Sequence, residues 1–506
     1  MSDQDVANAL RSESDLVVVE APAGCGKTHQ AADYARDTAG QLDRQRLLIL
    51  THTHAACDVF ATRTRGVSSR VEIRTLDSLI NQIATTYHKS LGLPSDVNSW
   101  VRRTADGHKQ LASKTAALLK RAPMIASSLA QRYPLTICDE YQDSNAHQHE
   151  VVMAIHDAAS RLRIFGDPMQ LIYERAEQDR TAAIGRWNGL VRMSGGAKEL
   201  ETPHRWIDGA TELGQWILSA RATLKRGGTI DLRGNLPTGL QVIRADNDAA
   251  RHGQYQVQSE ARRPIDNVVR NSERLLILAT QNLTVRSLRA FFNRSISVWE
   301  GHTRDALDSL VAGLVAHKGD ARASAEAMIE FLGEVAVGFS PSAYGNIILQ
   351  EIASNCSTTR RGKPAIIQNL ARLIANSPDH RGVTAALKQI SQLIETDSNF
   401  SGIKIDHPRE FREAIKLSEF DDPEIGFAEI TRRRTFARAM PPRKAVSTVH
   451  KAKGLDCDHV LVLPCDSQHF RDSDHHRCLL YVALSRARRS LTLVVSPRDP
   501  SPLISI

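Results

Sequence analysis

Leu16-Val17-Val18-Val19-Glu20-Ala21-Pro22-Ala23-Gly24-Cys25-Gly26-Lys27-Thr28 decides the fold. A short apolar run reads as a buried strand, a glycine-rich turn follows, and a helical pattern occupies residues 29–39. Strand, glycine turn, Lys-Thr and helix, in that order, form a phosphate loop. Gly24 and Gly26 let the backbone N–H groups of Ala23, Gly24, Cys25 and Gly26 curl around a phosphate with no Cβ in the way. The helix N-terminus adds the positive end of its dipole. Lys27 is placed to reach the β- and γ-phosphates of a nucleotide, and the Thr28 hydroxyl to hold Mg²⁺. One position departs from the G-x-x-x-x-G-K-[ST] pattern: its first glycine is Ala21.

Outward from this stretch, strand-like runs at 46–51, 71–75, 135–138 and 162–165 alternate with helical stretches. That alternation predicts an α/β fold, a parallel sheet with helices on both faces and ligands beyond the carboxyl ends of its strands. Strand-like runs return at 240–244, 274–279, 444–448, 459–463 and 490–495, whereas residues 295–429 are helical without strand alternation. The expected organisation is two parallel-sheet domains, each interrupted by a helical insertion. The first comprises residues 1–86 and 132–200, with a short insertion at 87–131. The second comprises 201–294 and 440–506, with an insertion at 295–439.

A second chemical motif ends the 135–138 strand, Asp139-Glu140-Tyr141-Gln142-Asp143. Asp139 is placed to hold nucleotide-bound Mg²⁺, and Glu140 is the natural general base for an attacking water. A third strand ends in Gly166-Asp167-Pro168-Met169-Gln170, where Gln170 is suited to bond a γ-phosphate or that water.

The chain has 506 residues and a formal charge of +8, with a pI near 9.2, a balance that favours a polyanionic partner. Its seven cysteines form no C-x-x-C pair and read as reduced packing residues, and no apolar run is long enough to span a bilayer. With an acidic N-terminus lacking an apolar core, these features point to a cytoplasmic protein with no membrane partner. His469, His475 and His476 read as one solvated polar loop, lacking the ligand spacing of a metal site. The basic run Arg432-Arg433-Arg434, with Arg438, Arg443 and Lys444, reads equally as a phosphate-contacting or a solvated helix face.

With these motifs in this order, the sequence resembles the UvrD/Rep-like superfamily 1 DNA helicases. Gln4 stands where that family uses a glutamine to read adenine. Leu50-Thr51-His52-Thr53-His54-Ala55-Ala56 and Thr75-Leu76-Asp77-Ser78-Leu79 resemble two of its single-strand-contacting motifs. Asp139-Glu140-Tyr141-Gln142-Asp143 matches Asp-Glu-x-Gln-Asp. Pro203-His204-Arg205-Trp206 stands where relatives have Asn-Tyr-Arg-Ser. The segments 447–456 and 480–488 are close to Thr-x-His-x-Ala-Lys-Gly-Leu-Glu and Tyr-Val-Ala-x-Thr-Arg-Ala.

The resemblance implies two RecA-like motor domains with ATP and Mg²⁺ between them, and an ATP-hydrolysing DNA helicase. Arg205 and Arg486 would reach the γ-phosphate, and His204 and Gly454 would join the nucleotide site. Thr51, His52, His54, Thr75, Tyr173, Thr448 and His450 would face single-stranded or partly duplex DNA. Translocation with 3′-to-5′ unwinding follows from the family alone. Several positions differ from the family: His52 replaces an aromatic, His54 an Asn, Asp77 a His, Arg175 an aromatic, and His204 the adenine-stacking tyrosine. Compact size and short insertions also resemble the helicase subunit of Gabija-type antiviral defence systems. That reading implies DNA-end sensing beside a separate nuclease subunit.

Overall fold

The computed structural model describes residues 3–104, 106–174, 176–247, 255–299, 304–436 and 441–506. Arg175 and Arg438 fall outside the described residues, as do the side chains of Arg432, Arg433 and Arg434. The chain divides into two compact units: Met1–Ser297 with Pro442–Ile506, and Val298–Pro441.

The first unit holds two six-stranded sheets. The first sheet contains β1 (Leu16–Glu20), β2 (Leu47–Thr51), β3 (Val71–Thr75), β4 (Leu135–Cys138), β5 (Arg161–Gly166) and β6 (Lys198–Glu199), in the order β3-β2-β4-β5-β1-β6. All its pairings are parallel, with Val18 opposite Ile164 and Ile49 opposite Ile137. Both faces are covered, which is why β1 and β2 read as unbroken apolar runs. Val18, Leu48, Leu50 and Ile164 pack on one side; Val17, Val19, Leu47, Ile49 and Phe165 pack on the other. Each such side chain, fully buried, stabilises the fold by ~1.5–3 kcal/mol. The helices Val97–Arg103, Gly107–Arg121 and Pro123–Arg132 place Val97, Val101, Leu111, Leu119 and Ala126 in this same core, so the 87–131 segment is built into the first sheet's packing.

Beyond β6 come β7 (Ile230–Asp231), β8 (Leu240–Arg244), β9 (Leu275–Ala279) and β10 (Ser297–Val298). They are followed by β11 (Ala336–Val337), β12 (Lys404–Ile405), β13 (Lys444–Thr448), β14 (Cys457–Cys465), β15 (Ala487–Val495) and β16 (Ile504–Ser505). The second sheet runs β10-β13-β9-β14-β15-β8, with parallel pairing through its five long strands. Two all-parallel sheets with covering helices fit two RecA-like motor domains. Strands β14 and β15 extend past the expected 459–463 and 490–495, because a register irregularity between Cys457 and His459 lets polar residues join the ladder.

The second unit is helical and buries its own core, including Leu307, Leu310, Met328, Phe331, Leu370, Leu387 and Phe411. The expectation of no strand here needs correction: β11 and β12 form an antiparallel pair, each only two residues long and so without a readable alternation. Among the described residues, no helix is long and apolar enough to cross a membrane.

The histidine loop is also corrected. His469 is buried against Asp466 and Thr284, while His475 and His476 begin the helix Asp474–Leu484, N-capped by Ser473. A buried carboxylate partner and an N-cap turn a polar-looking stretch into ordered structure. Among the described residues, no group of three or more His, Cys, Asp or Glu side chains could hold a metal ion.

Candidate nucleotide and DNA site

The phosphate loop leaves β1 at the carboxyl edge of the first sheet. Ala21 still belongs to the ladder: its N–H donates to Gly166 O at 2.8 Å. Its φ is not positive, so no glycine is needed there. Gly24 and Gly26 are different, with φ of 80° and 82° in the left-handed region. Each is also crowded. A Cβ on Gly24 would stand 2.6 Å from the Trp206 ring, and one on Gly26 3.0 Å from His204 Cδ2. Gly26 precedes the helix Lys27–Ala39, so Lys27 and Thr28 begin its first turn. Burial pushes the Cys25 thiol up to about 12, so it adds no negative charge to the loop.

Asp139 follows β4 directly, and its N–H donates to Leu50 O at 2.8 Å. Glu140 follows with φ of 53°, a left-handed conformation unusual for a non-glycine residue. Lys27 Nζ lies 3.2 Å from Asp139 Oδ1 and also pairs with Glu140. Burial raises the Asp139 carboxyl above its ordinary range. Burial also acts upward on Glu140, but Lys27, with Lys453 beyond it, holds that carboxyl well below its usual range. Despite the ion pair, Lys27 Nζ and Asp139 Oδ1 are buried without a well-directed hydrogen bond. A buried cation and carboxylate left short of partners beside a glycine cradle fit a phosphate and Mg²⁺.

A hydrogen-bond chain runs behind them. Gln142 Nε2 donates to Glu140 Oε2 at 2.6 Å, and Asp167 N–H donates to Gln142 Oε1 at 3.0 Å. Gln170 Nε2 donates to Asp167 Oδ2 at 3.1 Å, and Arg221 Nη2 to Asp167 Oδ1 at 2.8 Å. Arg221 also pairs with Glu20 and Glu199.

Two arginines reach the same place, Arg205 from the turn after β6 and Arg486 from the turn between the Asp474–Leu484 helix and β15. Arg205 N–H donates to Gly24 O at 3.0 Å. Its guanidinium donates to Ser485 O, with Asp456 at 3.6 Å. Arg486 donates to Val482 O at 2.9 Å, Leu455 O at 3.1 Å and Ser485 Oγ at 2.8 Å. Burial lowers the pKa of both guanidiniums, and for Arg486 the neighbouring Arg205 lowers it further. Tyr481 Oη accepts the Ala23 N–H at 2.8 Å, so a residue of the second lobe touches the phosphate loop directly. Gly454, with φ of 83°, shapes the turn after β13 and has open space where a Cβ would be.

The remaining expected residues are placed as follows. Gln4 is exposed and donates to Asn8 Oδ1 at 3.0 Å, within its own helix. His204 pairs with Asp3. Thr51 is buried, its hydroxyl donating to Thr53 O at 3.0 Å; Thr75 N-caps the helix Leu76–Thr86. His52 bonds Ser144 Oγ at 3.1 Å, burial holds its pKa down, and His54 is exposed. Asp77 sits in the first turn of the Leu76–Thr86 helix and accepts from Gln148 Nε2 at 2.8 Å, which accounts for a carboxylate at that position. Tyr173 is 55 % exposed, with Lys453 Nζ 4.7 Å from its ring centroid. Thr448 Oγ1 accepts from Lys451 N–H at 3.3 Å, and His450 Nε2 lies 3.1 Å from Ile172 O.

Sequence reasoning assigned no role to Arg221, Trp206 or Lys453. Lys453 Nζ reaches both Asp143 oxygens, at 2.7 and 2.6 Å, and Gln170 O at 2.8 Å. Arg221 could have been found as a charge on the buried stripe of Leu213, Ile217, Ala220 and Leu224. Trp206 lay inside a quoted motif, but its contact with Gly24 has no local signal.

Two family models match the chain. The UvrD/REP helicase N-terminal domain matches residues 97–176, and the UvrD-like helicase C-terminal domain matches residues 445–494. The first covers β4, β5 and the carboxylate motif; the second covers β13 to β15 with the Arg486 segment. These matches support a UvrD-like helicase, and helicase domains of this type imply an enzyme that hydrolyses ATP and acts on DNA. No curated protein matches the chain.

Proposed function

We propose that the chain is an ATP-driven motor that translocates on single-stranded DNA and unwinds duplex with 3′-to-5′ polarity, acting in the cytoplasm. The observation that carries this reading is the convergence of Lys27, Asp139 and Glu140 with Arg205, from the turn after β6, and Arg486, from the turn before β15.

In this reading Lys27 and the amides around Gly24 and Gly26 bind the β- and γ-phosphates. Thr28 and Asp139 hold Mg²⁺, which when bound neutralises phosphate charge. Glu140, kept ionised, takes a proton from the attacking water, and the Gln142 amide fixes the orientation of its carboxylate. Arg205 and Arg486 stabilise charge on the transferring phosphoryl group. Both donate to backbone oxygens, and Arg205 also faces the half-exposed Asp456 carboxylate at 3.6 Å.

Coupling to DNA runs through the second lobe's turn after β13. Lys453 grips Asp143 and Gln170 O, and His450 contacts Ile172 O, beside exposed Tyr173. A change in lobe closure at the nucleotide therefore moves the turn that carries Thr448 and His450. Tyr173, His52 and His54 offer ring faces to bases.

The test is steady-state ATP hydrolysis without DNA and with single strand, blunt duplex or closed circular single strand. Stimulation by linear and circular single strands alike is expected, and Lys27→Ala abolishes it. Stimulation that requires a free end would replace translocation by end sensing beside a separate nuclease. Hydrolysis unaffected by Lys27→Ala would overturn the assigned site.

A further inference from the structure

We propose that Trp206 is a positioning residue that sets Arg486 against the phosphate loop. The proposal rests on the nucleotide site above and deepens it, because it names what holds one of its arginines in register.

Trp206 stands where the motif that residues 203–206 resemble has a serine, so the indole is a departure of this chain. It is buried and touches two glycines, one at each end. Its six-membered ring meets Gly24 of the phosphate loop, where an added Cβ would stand 2.6 Å from Cζ3 and 2.9 Å from Cη2. Its other end meets Gly214, in the first turn of the helix Thr211–Lys225, where a Cβ would stand 2.8 Å from Trp206 Cβ and 2.9 Å from Cγ. Both approaches need a residue without a Cβ.

The third contact is polar. Trp206 Nε1 donates to Ala487 O at 2.7 Å. Ala487 opens β15 directly after Arg486 and lies opposite Cys457, where the ladder slips between Cys457 and His459. A ladder is locally disrupted at such an irregularity. The indole N–H therefore fixes the chain beside Arg486 from outside the sheet.

The guanidinium bonds of Arg486, to Val482 O, Leu455 O and Ser485 Oγ, shape its side chain but do not join it to the loop. The indole makes that join. One planar group rests on Gly24 and holds the carbonyl of the residue after Arg486. Arg205 runs in parallel, from Gly24 O to Ser485 O, but through a long flexible side chain. Tyr481 adds a bond to the Ala23 N–H. A stiff aromatic link matters because a misplacement of about 1 Å caused far from the chemistry can cost about 10²-fold in rate.

The experiment is Trp206→Phe, which keeps an aromatic ring and removes the N–H to Ala487. Hydrolysis of ATP by the full chain with single-stranded DNA should fall by about tenfold or more in kcat, while affinity for mant-ADP, read by fluorescence, stays within about threefold of wild type. In an Arg486→Ala background, Trp206→Phe should lower single-turnover hydrolysis by less than about twofold further, because the group it positions is gone. If Trp206→Phe does not fold, Gly214→Ala, which displaces the indole from its Cβ end, is measured by the same criteria.

A lower melting temperature with unchanged kcat would leave Trp206 a packing residue and overturn the proposal. Equal losses of kcat and mant-ADP affinity would overturn it too, by placing the effect on phosphate binding. So would an undiminished loss in the Arg486→Ala background, by placing the effect on another group. Arg486→Ala separates the two levels. If it hydrolyses ATP as wild type does, the arginine assignment beneath the proposal fails. If it is impaired and Trp206→Phe is not, only the role of Trp206 fails.

Discussion

Two buried charge clusters flank the end of β1, and they are built on opposite principles. Around Lys27, Asp139 and Glu140, three charges share few partners, Lys27 Nζ and Asp139 Oδ1 lack well-directed bonds, and Glu140 sits in a left-handed backbone. Around Arg221, the guanidinium meets Glu20, Asp167 and Glu199, and Asp167 further accepts from Met169 N–H and Gln170 Nε2. The first cluster is left incomplete, as a site awaiting ligand must be. The second is closed on itself, as a scaffold should be. Burial and charge alone do not distinguish a site from a scaffold; the state of hydrogen bonding does.

Mutations can break this contrast. The largest effect on turnover is expected at Arg486→Ala, where, on the proposed function, loss of an arginine at the γ-phosphate reduces ATP hydrolysis by about 10³-fold or more while nucleotide binding persists. Single-turnover hydrolysis against nucleotide affinity separates the two. Glu140→Gln should follow, at about 10²–10⁴-fold in kcat, with the overall fold intact by circular dichroism. Survival of full activity in either variant would remove it from the chemistry.

Stability should respond in the other cluster. Arg221→Met leaves the buried Asp167 carboxylate without a cation and Glu20 with Lys225 alone, and should cost about 3–5 kcal/mol, read as a denaturant midpoint. Lys27→Met leaves Asp139 and Glu140 without this cation, but Glu140 is 30 % exposed and open to hydration, so the midpoint should change less. If the two substitutions destabilise equally, the distinction between open and closed cluster collapses.

The smallest effect concerns pH. The Glu140 carboxyl is depressed in the folded chain, so its contribution is fully present above the ordinary carboxylate pKa and is lost as pH falls towards the folded value. Removing Lys27 removes the first source of that depression. The fall in Tm between pH 5 and pH 3 should therefore be shallower in Lys27→Met than in wild type, a difference measurable by scanning fluorimetry.

Much of this architecture is written locally. Buried parallel strands such as Val17–Val18–Val19 carry their own apolar signature, and the phosphate loop and Asp139-Glu140 pair stand at strand ends where chemistry belongs. What was not legible depends on contacts distant in sequence. Trp206 packing on Gly24, Arg221 reaching Glu20, and Lys453 holding Asp143 join residues separated by scores to hundreds of positions. Asp77 looked misplaced until its partner Gln148, far along the chain, supplied the donor. The histidines at 469, 475 and 476 misled because polarity was read without knowing that Asp466 and Ser473 would order them.

The packing of Trp206 and His204 onto Gly24 and Gly26 bears on how such motors can be recombined. The glycine loop is moulded on one side by side chains of the turn at residues 203–206, far along the chain. A chimaera that exchanges the first lobe with a relative's, leaving residues 203–206 behind, would bring a foreign loop against an indole and an imidazole shaped for this one. Grafting the 203–206 turn along with the loop is the minimum transplant that keeps the mould and its cast together.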